Sequence, residues 1–547
     1  MDPASDRLAF PRLTASEIDA IRPFAQVQDC PDGCRLFKAG DAEIDFFIVL
    51  EGSLDILNPS DNNSVIVTHS PGEFAGDIDL LTRRPVIVTC IAKGKSQLLR
   101  VPGNKVRDLL NRIPHLGDKL LVAFQSRRQM LADTGKIGFK IIGPSVCKDT
   151  TLVREFLYKN FVPFTYFDTA TDKGKEQLQS VGNPKKTPAI VRGDGNVMLN
   201  PCLRDLAKSA GIWRDCPPNE IDLAIIGAGP AGIAAAVYAA SEGLHTVVLD
   251  KLGPGGQAGG SSKIENFIGF PSGLSGTDLA TRGVLQMLKF GALLSAPVAV
   301  DRIDLAKSNG DPHLLHLDCG DTLRAGVVLL ATGVTWRRLD AKNMDRFENQ
   351  GIYYACTSVE AEMHEGQDVA VVGGGNSAGQ AAMFLAERCA RTVHIIIRRE
   401  LGDSMSNYLA DRIGSTPNIK IHSNTEVREI FGDRRIKEIE VENTADKSRE
   451  KIPLAGLFVF IGAEPRLDWL PESIQRDKLG YILTGVEAEN SGKWPLKDRC
   501  PCPLETTAPR ILAAGDVRSG STKRVGFAVG DGSLAVTCTH RLRTLRN

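Results

Sequence analysis

Ile221–Asp250 reads IDLAIIGAGPAGIAAAVYAASEGLHTVVLD, and this stretch decides the fold. Ile221, Leu223, Ile225 and Ile226 make a short apolar run, the pattern of a parallel strand buried on both faces. Gly227, Gly229 and Gly232 follow as GxGxxG, with Pro230 and Ala231 opening a helix. The first glycine permits the tight turn, the second lets a pyrophosphate approach the backbone, and the third lets helix pack on strand. The helix N-terminus offers free N–H groups and a positive dipole end to that anion. Asp250 ends the second strand, where an acid holds a ribose hydroxyl. Strand, turn, helix and acid together predict a dinucleotide site.

The device recurs at Asp368–Arg399, DVAVVGGGNSAGQAAMFLAERCARTVHIIIRR. Gly373, Gly375 and Ala378 take the three positions, with Asn376 and Ser377 at the turn into the helix. The second strand ends in Arg398 and Arg399 instead of an acid. A carboxylate repels a 2′-phosphate, whereas arginine pairs with it bidentately. The second fingerprint therefore reads as an NADPH site and the first as an FAD site. The alternative for the two arginines is a solvated strand end.

The chain has 547 residues, enough for several full cores, and its 66 basic residues balance its 66 acidic ones. A zero net charge excludes bulk polyanion binding as an organising principle. We find no secretory signal pattern and no apolar run of membrane-spanning length, so a cytoplasmic protein is expected. The 12 cysteines follow neither a disulfide-framework nor a zinc-finger spacing, and no metal site is expected.

Residues 1–133 read as a β domain with flanking helices. Thr14-Ala15-Ser16-Glu17 is a capping box. Short strands follow, separated by turn pairs such as Glu51-Gly52 and Pro71-Gly72, which suggests a jelly roll. Residues 104–132 read as an amphipathic helix. FFIVLEGSLDIL with PGEFAGDIDLLTRRPVIVTCIA resembles the cyclic-nucleotide-binding domain, whose second stretch is a phosphate-binding cassette. The resemblance makes Gly76-Asp77 the counterpart of the family's Gly-Glu pair, whose acid holds the ribose. The family's phosphate-gripping arginine falls on Val86 and the small residue after it on Ile87. Arg83 and Arg84 lie close but offset. Two readings stay open: a modified site for a different cyclic nucleotide or dinucleotide effector, and a degenerate domain.

Residues 134–215 read as a small α/β unit that resembles a glutaredoxin or thioredoxin domain, with Thr187-Pro188 where that family keeps a cis proline. At the place of its CxxC stands Cys147-Lys148-Asp149-Thr150, with one sulfur. A packing or adaptor domain and a reactive Cys147 at a helix start are both open.

From residue 216 onward the chain resembles the thioredoxin reductases of the pyridine nucleotide-disulfide oxidoreductase family. GPGGQAGGSSKIENFIGFP resembles their flavin segment, VVLLATG the strand leading out of the FAD domain, and ILAAGDVRSGSTKRVGFAVGDGSLAV the return to it. The resemblance implies FAD contacts from Gly256, Gln257, Asn266, Thr332, Gly333, Gly515, Asp516, Lys523, Arg524 and Val525. It implies an FAD domain at 216–335 and 463–547, an inserted NADPH domain at 336–462, and a homodimer.

One segment departs from the pattern. Thioredoxin reductases carry a CxxC disulfide just before the NADPH strand, and this chain reads Tyr354-Ala355-Cys356-Thr357-Ser358-Val359. Aligned on Tyr354 and Thr357, both catalytic cysteines are replaced, by Ala355 and Ser358, and Cys356 falls between them. The expected reaction is hydride transfer from NADPH to FAD, with an acceptor that is a small molecule or a redox protein. Two alternatives remain: a disulfide reductase using Cys500 and Cys502, or Cys356 with a distant partner, and a nucleotide sensor with a low-turnover flavoprotein part.

Overall fold

The computed structural model describes residues 8–133, 138–145, 147–193, 195–261, 263–348, 351–388, 390–403, 405–433 and 435–545. They form two compact units. One comprises Met1–Pro144, Val153–Asp215 and Val284–Pro297; the other comprises Ser145–Leu152, Cys216–Gly283 and Val298–Asn547.

In the first unit the capping box is made. Thr14 accepts from the Glu17 N–H, and Glu17 Oε2 accepts from the Thr14 N–H at 2.7 Å, opening the helix Ala15–Ile21. The strands Phe46–Asn58 and Thr89–Val101 pair antiparallel along most of their length, with Gln26–Cys30 and Ser64–His69 outside them. Their inward residues meet a core centred on Phe46, Phe74 and Phe124, whose rings lie 5.4–6.3 Å apart. The single helix expected over 104–132 is two, Gly103–Arg112 and Pro114–Asp133. Pro114 disfavours the helical region for its predecessor, and Ile113 sits at φ −125°, ψ 78°.

A four-stranded sheet follows in the order Val197–Leu199, Ala189–Val191, Phe139–Gly143, Phe164–Asp168. The last pair is parallel and the others antiparallel. The Thr187–Pro188 bond is cis. The helix Asp172–Ser180 and the strand Val197–Leu199 escaped the sequence reading. The helix is a polar run without apolar periodicity, started by Thr171, whose hydroxyl accepts from the Gly174 N–H.

In the second unit, Thr246–Leu249, Ile221–Ile226, Thr322–Leu330 and Ile511–Ala513 pair in parallel. Ile226 lies opposite both Leu249 and Leu330, and Leu330 lies opposite Ala513, so Gly227, Ala331 and Ala514 share one edge. Ligands of open parallel sheets bind at such carboxyl ends. A second parallel sheet runs Ile352–Tyr353, Gly456–Val459, Asp368–Val372, Thr392–Ile396, Ile419–His422. Thr335–Trp336 pairs antiparallel with Ala463–Glu464 where the chain passes between the two sheets.

Candidate active site

Around the first fingerprint the backbone is packed too tightly for side chains. Gly227 adopts φ +107°, and a Cβ there would lie 2.4 Å from the Ala331 carbonyl oxygen. A Cβ on Gly232 would lie 1.9 Å from the Gly227 oxygen. A Cβ on Gly256 would lie 2.9 Å from Gly229 Cα, so two glycine backbones face each other at the start of the helix Pro230–Ser241. Ala231 and Gly232 are buried in the first turn of that helix, and Gly229 gives it no side-chain cap. Its leading N–H groups therefore suit an anion. Beside them, Thr332 Oγ1 is buried with no hydrogen-bond partner, and Gly333 turns the chain at φ +61°. A cradle without Cβ atoms and an orphaned hydroxyl fit a pyrophosphate-linked cofactor.

Asp250 is more engaged than the sequence suggests. Its carboxylate accepts from Ala228 N at 2.8 Å, Leu252 N at 2.9 Å and Gly253 N at 2.8 Å. A carboxylate has about four acceptor positions, which leaves one for a ribose hydroxyl. Gln257 Nε2 donates to the Val334 carbonyl, and Asn266 is exposed in the loop between Ile264 and Leu274. Gly515 N donates to Asp531 Oδ2 at 3.0 Å. Burial raises the Asp516 carboxyl above its ordinary pKa, opposed by Lys523. Lys523 Nζ donates to the Tyr481 hydroxyl and lies 4.6 Å from the centre of its ring. Arg524 is the N-cap and Val525 the first residue of the helix Val525–Thr544.

At the second fingerprint a Cβ on Gly373, at φ +140°, would lie 2.3 Å from the Phe460 oxygen, whereas Gly375 faces open space. Asn376 Oδ1 accepts from Ser406 N at 2.8 Å, Ser377 is exposed, and Ala378 is buried against the strand. Arg398 and Arg399 are both exposed, and neither has an ion pair or hydrogen bond among the described residues. Two free guanidinium groups at a strand end are what a 2′-phosphate requires.

Between the two fingerprints lies an open cleft lined among others by Gln257, Ser261, Trp336, Ala355, Gln380 and Phe460. A Cβ on Gly260 would lie 3.1 Å from Ala355 Cβ. Cys356 also reaches the cleft wall, but its side chain is only 2% exposed and belongs to the core with Tyr353, Val371 and Phe458. The Thr357 carbonyl accepts from the Ala361 N–H at 3.1 Å, and its own N–H donates to Glu360 Oε2 at 2.8 Å. That helix begins at Ser358, whose side chain lies outside the described residues.

In the cassette, Gly76 adopts φ +144° and its carbonyl accepts from Arg127 Nη1 at 2.6 Å. Asp77 Oδ1 accepts from Asp79 N at 2.9 Å. Arg83 is exposed in the left-handed region at φ +52°. Arg84 is buried and spends its guanidinium on the Asn160 carbonyl, at 2.6 Å. Of the two offset arginines only Arg83 is therefore free to meet an anion. Val86 is buried.

A profile of the pyridine nucleotide-disulphide oxidoreductases matches residues 221–532. The chain belongs to that family. A cyclic nucleotide-binding domain profile matches residues 27–113. The oxidoreductase is 33% identical over 318 residues to a thioredoxin reductase of Mycoplasma pneumoniae, a match covering 58% of this chain and 93% of that protein. It is 34% identical to a 34.2 kDa protein in the rubredoxin operon of Clostridium pasteurianum, over 58% of this chain and 95% of that protein. Among solved structures it is similar to the T. acidophilum thioredoxin reductase, with 28% identity, TM-score 0.52 and 59% and 98% of the two chains covered. It is likewise similar to that of Lactococcus lactis, with 25% identity, TM-score 0.53 and coverage of 59% and 99%. The family is one of flavoprotein oxidoreductases that use FAD and NADPH, and the glycine cradles described above fit both cofactors.

The oxidoreductase's other cysteines are arranged differently from the sequence expectation. Cys500 is exposed and its thiol faces Glu489, which raises its pKa. Cys502 is buried, and its thiol interacts with that of Cys538 on the last helix, 36 positions along the chain. The interaction lowers the Cys502 pKa and raises that of Cys538. The pair of neighbouring thiols is thus Cys502 and Cys538, not Cys500 and Cys502. Only the fold brings it together, so no spacing rule could find it. Among the described residues no group of three or more His, Cys, Asp or Glu could hold a metal ion, and no helix is long and apolar enough to cross a membrane.

Proposed function

We propose that this oxidoreductase takes hydride from NADPH onto FAD and passes the electrons on without a disulfide beside the flavin. The observation that carries this reading is the Ala355–Gly260 contact. It sets the segment homologous to the thioredoxin reductase disulfide against the flavin segment, with a methyl group where a sulfur is required and with Cys356 packed into the core. FAD supplies the hydride and electron chemistry when bound. The chain's own residues bind and orient. Gly227, Gly229, Pro230, Ala231, Gly232, Gly256, Thr332 and Gly333 cradle the pyrophosphate. Asp250 takes a ribose hydroxyl on its remaining acceptor position. Gln257, Asn266, Gly515 and Asp516 hold the rest of the FAD, with Lys523, Arg524 and Val525 beside the ring. Gly373, Gly375, Asn376, Ser377 and Ala378 receive NADPH, and Arg398 and Arg399 select its 2′-phosphate.

The electron acceptor is then a small molecule or a partner redox protein entering the uncharged cleft. The barrel, over residues 1–133, takes a cyclic nucleotide or dinucleotide at Gly76, Asp77 and Arg83, and its occupancy tunes turnover. Residues 134–215 serve as a glutaredoxin-like adaptor, a reading supported by the strand order. FAD at 216–335 and 463–547 with NADPH at 336–462 completes the layout, and the protein acts as a homodimer. The test is NADPH-dependent reduction of a quinone, a dye and thioredoxin by the same preparation. Rapid turnover of quinone or dye with none of thioredoxin supports the reading, and efficient thioredoxin reduction refutes it.

A further inference from the structure

The acid that follows the two arginines of the second fingerprint is tied up away from them. Glu400 comes directly after Arg398 and Arg399, and all three are exposed beyond the end of the strand Thr392–Ile396. A carboxylate this close in the chain is a natural partner for a guanidinium, and such pairs are frequently bidentate. An internal pair of that kind would fill the donors that a 2′-phosphate needs. Among the described residues Glu400 makes no ion pair with either arginine. Both of its oxygens are engaged elsewhere: Oε2 accepts from Ser423 Oγ at 3.1 Å, and Oε1 accepts from Asn424 Nδ2 at 3.1 Å.

Ser423 and Asn424 are themselves fixed by the backbone around them, all within one compact unit. They follow the edge strand Ile419–His422, which runs parallel to Thr392–Ile396 with His422 opposite Ile396. The pairing continues past the strand ends. Ile397 N–H donates to the His422 carbonyl at 3.0 Å, and Thr425 N–H donates to the Ile397 carbonyl at 2.9 Å. The turn is thereby docked on the residue that precedes Arg398. Asn424 adopts φ +54°, in the left-handed region that asparagine tolerates. Its carbonyl accepts from Thr444 N–H at 2.7 Å and from Thr444 Oγ1 at 3.0 Å, and the Ser423 carbonyl accepts from Thr425 Oγ1 at 2.8 Å. With the backbone held on both sides, the serine hydroxyl and the asparagine amide form a preset fork for one carboxylate.

We propose that Ser423 and Asn424 are positioning residues for coenzyme choice: by holding the Glu400 carboxylate they keep Arg398 and Arg399 open to the 2′-phosphate of NADPH. The proposal rests on the coenzyme reading above and deepens it, since it names what protects the two guanidinium groups from their own neighbour. Once released, Glu400 competes for those groups, and a 2′-phosphate must displace it before binding. NADH carries a hydroxyl at that position and has no such competitor to displace. The cost of release therefore falls on the phosphorylated coenzyme alone. An exposed ion pair is a weak competitor, so the expected penalty is about threefold to fivefold in affinity.

The experiment is calorimetry on the full-length FAD-loaded protein with adenosine 2′,5′-bisphosphate and with 5′-AMP, beside KM and kcat for NADPH and NADH in dye reduction. Three proteins are compared: wild type, Ser423→Ala with Asn424→Gly, and that double variant with Glu400→Gln added. Glycine suits the left-handed turn, and Ser423→Ala alone, which removes one of the two tethers, keeps the test valid if the double variant folds poorly. The double variant is expected to bind the bisphosphate about threefold to fivefold more weakly, with 5′-AMP unchanged. KM for NADPH should rise by the same factor, with kcat and the NADH constants unchanged. Adding Glu400→Gln should restore the wild-type values, because an uncharged amide does not compete as an ion. Unchanged bisphosphate affinity in the variants overturns the proposal, and so does a loss that Glu400→Gln leaves in place, which would mean that the turn acts only on the local backbone. Those two results leave the coenzyme reading intact. A wild type that binds the bisphosphate no better than 5′-AMP instead overturns the coenzyme reading, and the proposal falls with it.

Discussion

Ala355 stands against Gly260: a Cβ on the glycine would lie 3.1 Å from the alanine's own. In the reading proposed above, this is where the thioredoxin reductases carry their disulfide, and here it holds an alanine methyl against a glycine. The neighbouring sulfur, on Cys356, faces the core of the NADPH fingerprint sheet. Thiol–disulfide exchange needs an attacking thiolate and a resolving sulfur, and the one sulfur of Tyr354–Val359 is the buried one of Cys356.

Cys356→Ser is therefore expected to retain NADPH-to-dye reduction within about twofold, with a lower melting temperature, because a buried thiol is exchanged for a more polar hydroxyl. Steady-state dye reduction and a thermal melt measure both. Loss of activity with an unchanged melting temperature would make Cys356 a catalytic residue.

Arg398→Ala with Arg399→Ala should weaken NADPH and leave NADH nearly unchanged. Hydrogen bonds to a charged group are worth about 1.5–3 kcal/mol, so a tenfold or greater rise in KM for NADPH is expected. Equal losses for the two nucleotides would mean that these unpaired arginines do not read the 2′-phosphate.

Gly227→Ala places a Cβ 2.4 Å from the Ala331 oxygen at a φ of +107°. An L-residue is strained there by about 1–3 kcal/mol before the clash is counted, and the displaced turn is the one that receives the pyrophosphate. The variant should purify with little or no bound FAD. A yellow protein with the wild-type flavin content would contradict the cradle.

Much of this architecture was legible in the chain. Both fingerprints announce themselves because a tight turn against a parallel strand excludes every residue but glycine at Gly227 and Gly373. The capping box at Thr14 and Glu17 was equally plain, since its two hydrogen bonds lie within four residues. Long-range pairings were not. Nothing local in TRRP, CPCP or VVLD says that Arg84 turns to Asn160, that Cys502 meets Cys538, or that Asp250 already holds three backbone N–H groups. The break at Ile113 was readable from Pro114, but the apolar periodicity runs through it and masks the stop.

Acid should weaken the NADPH-fingerprint sheet. Burial holds His364 down to about 4, and burial with the charge of His422 does the same to His394, whose ring stacks on that of His422. An unfolded imidazole takes its proton near 6.5, so between about 6.5 and 4 the unfolded chain binds more protons than the folded one. The stability from the two neutral rings is complete above that window and is lost as pH falls through it. Chemical denaturation across pH 4–8 should show the decline, and His364→Gln should flatten it. A profile unchanged by that substitution would place the acid-sensitive group elsewhere.

The most direct test of a flavoprotein without a central disulfide is an anaerobic NADPH titration, followed at the flavin absorbance with free thiols counted before and after. Complete bleaching at about one NADPH per FAD with no gain of thiols is expected, since the flavin then keeps both electrons of the hydride. A requirement for about two NADPH per FAD, with two new thiols appearing, would contradict it. Mapping those thiols to Cys502 and Cys538, or to Cys356, would then identify the disulfide.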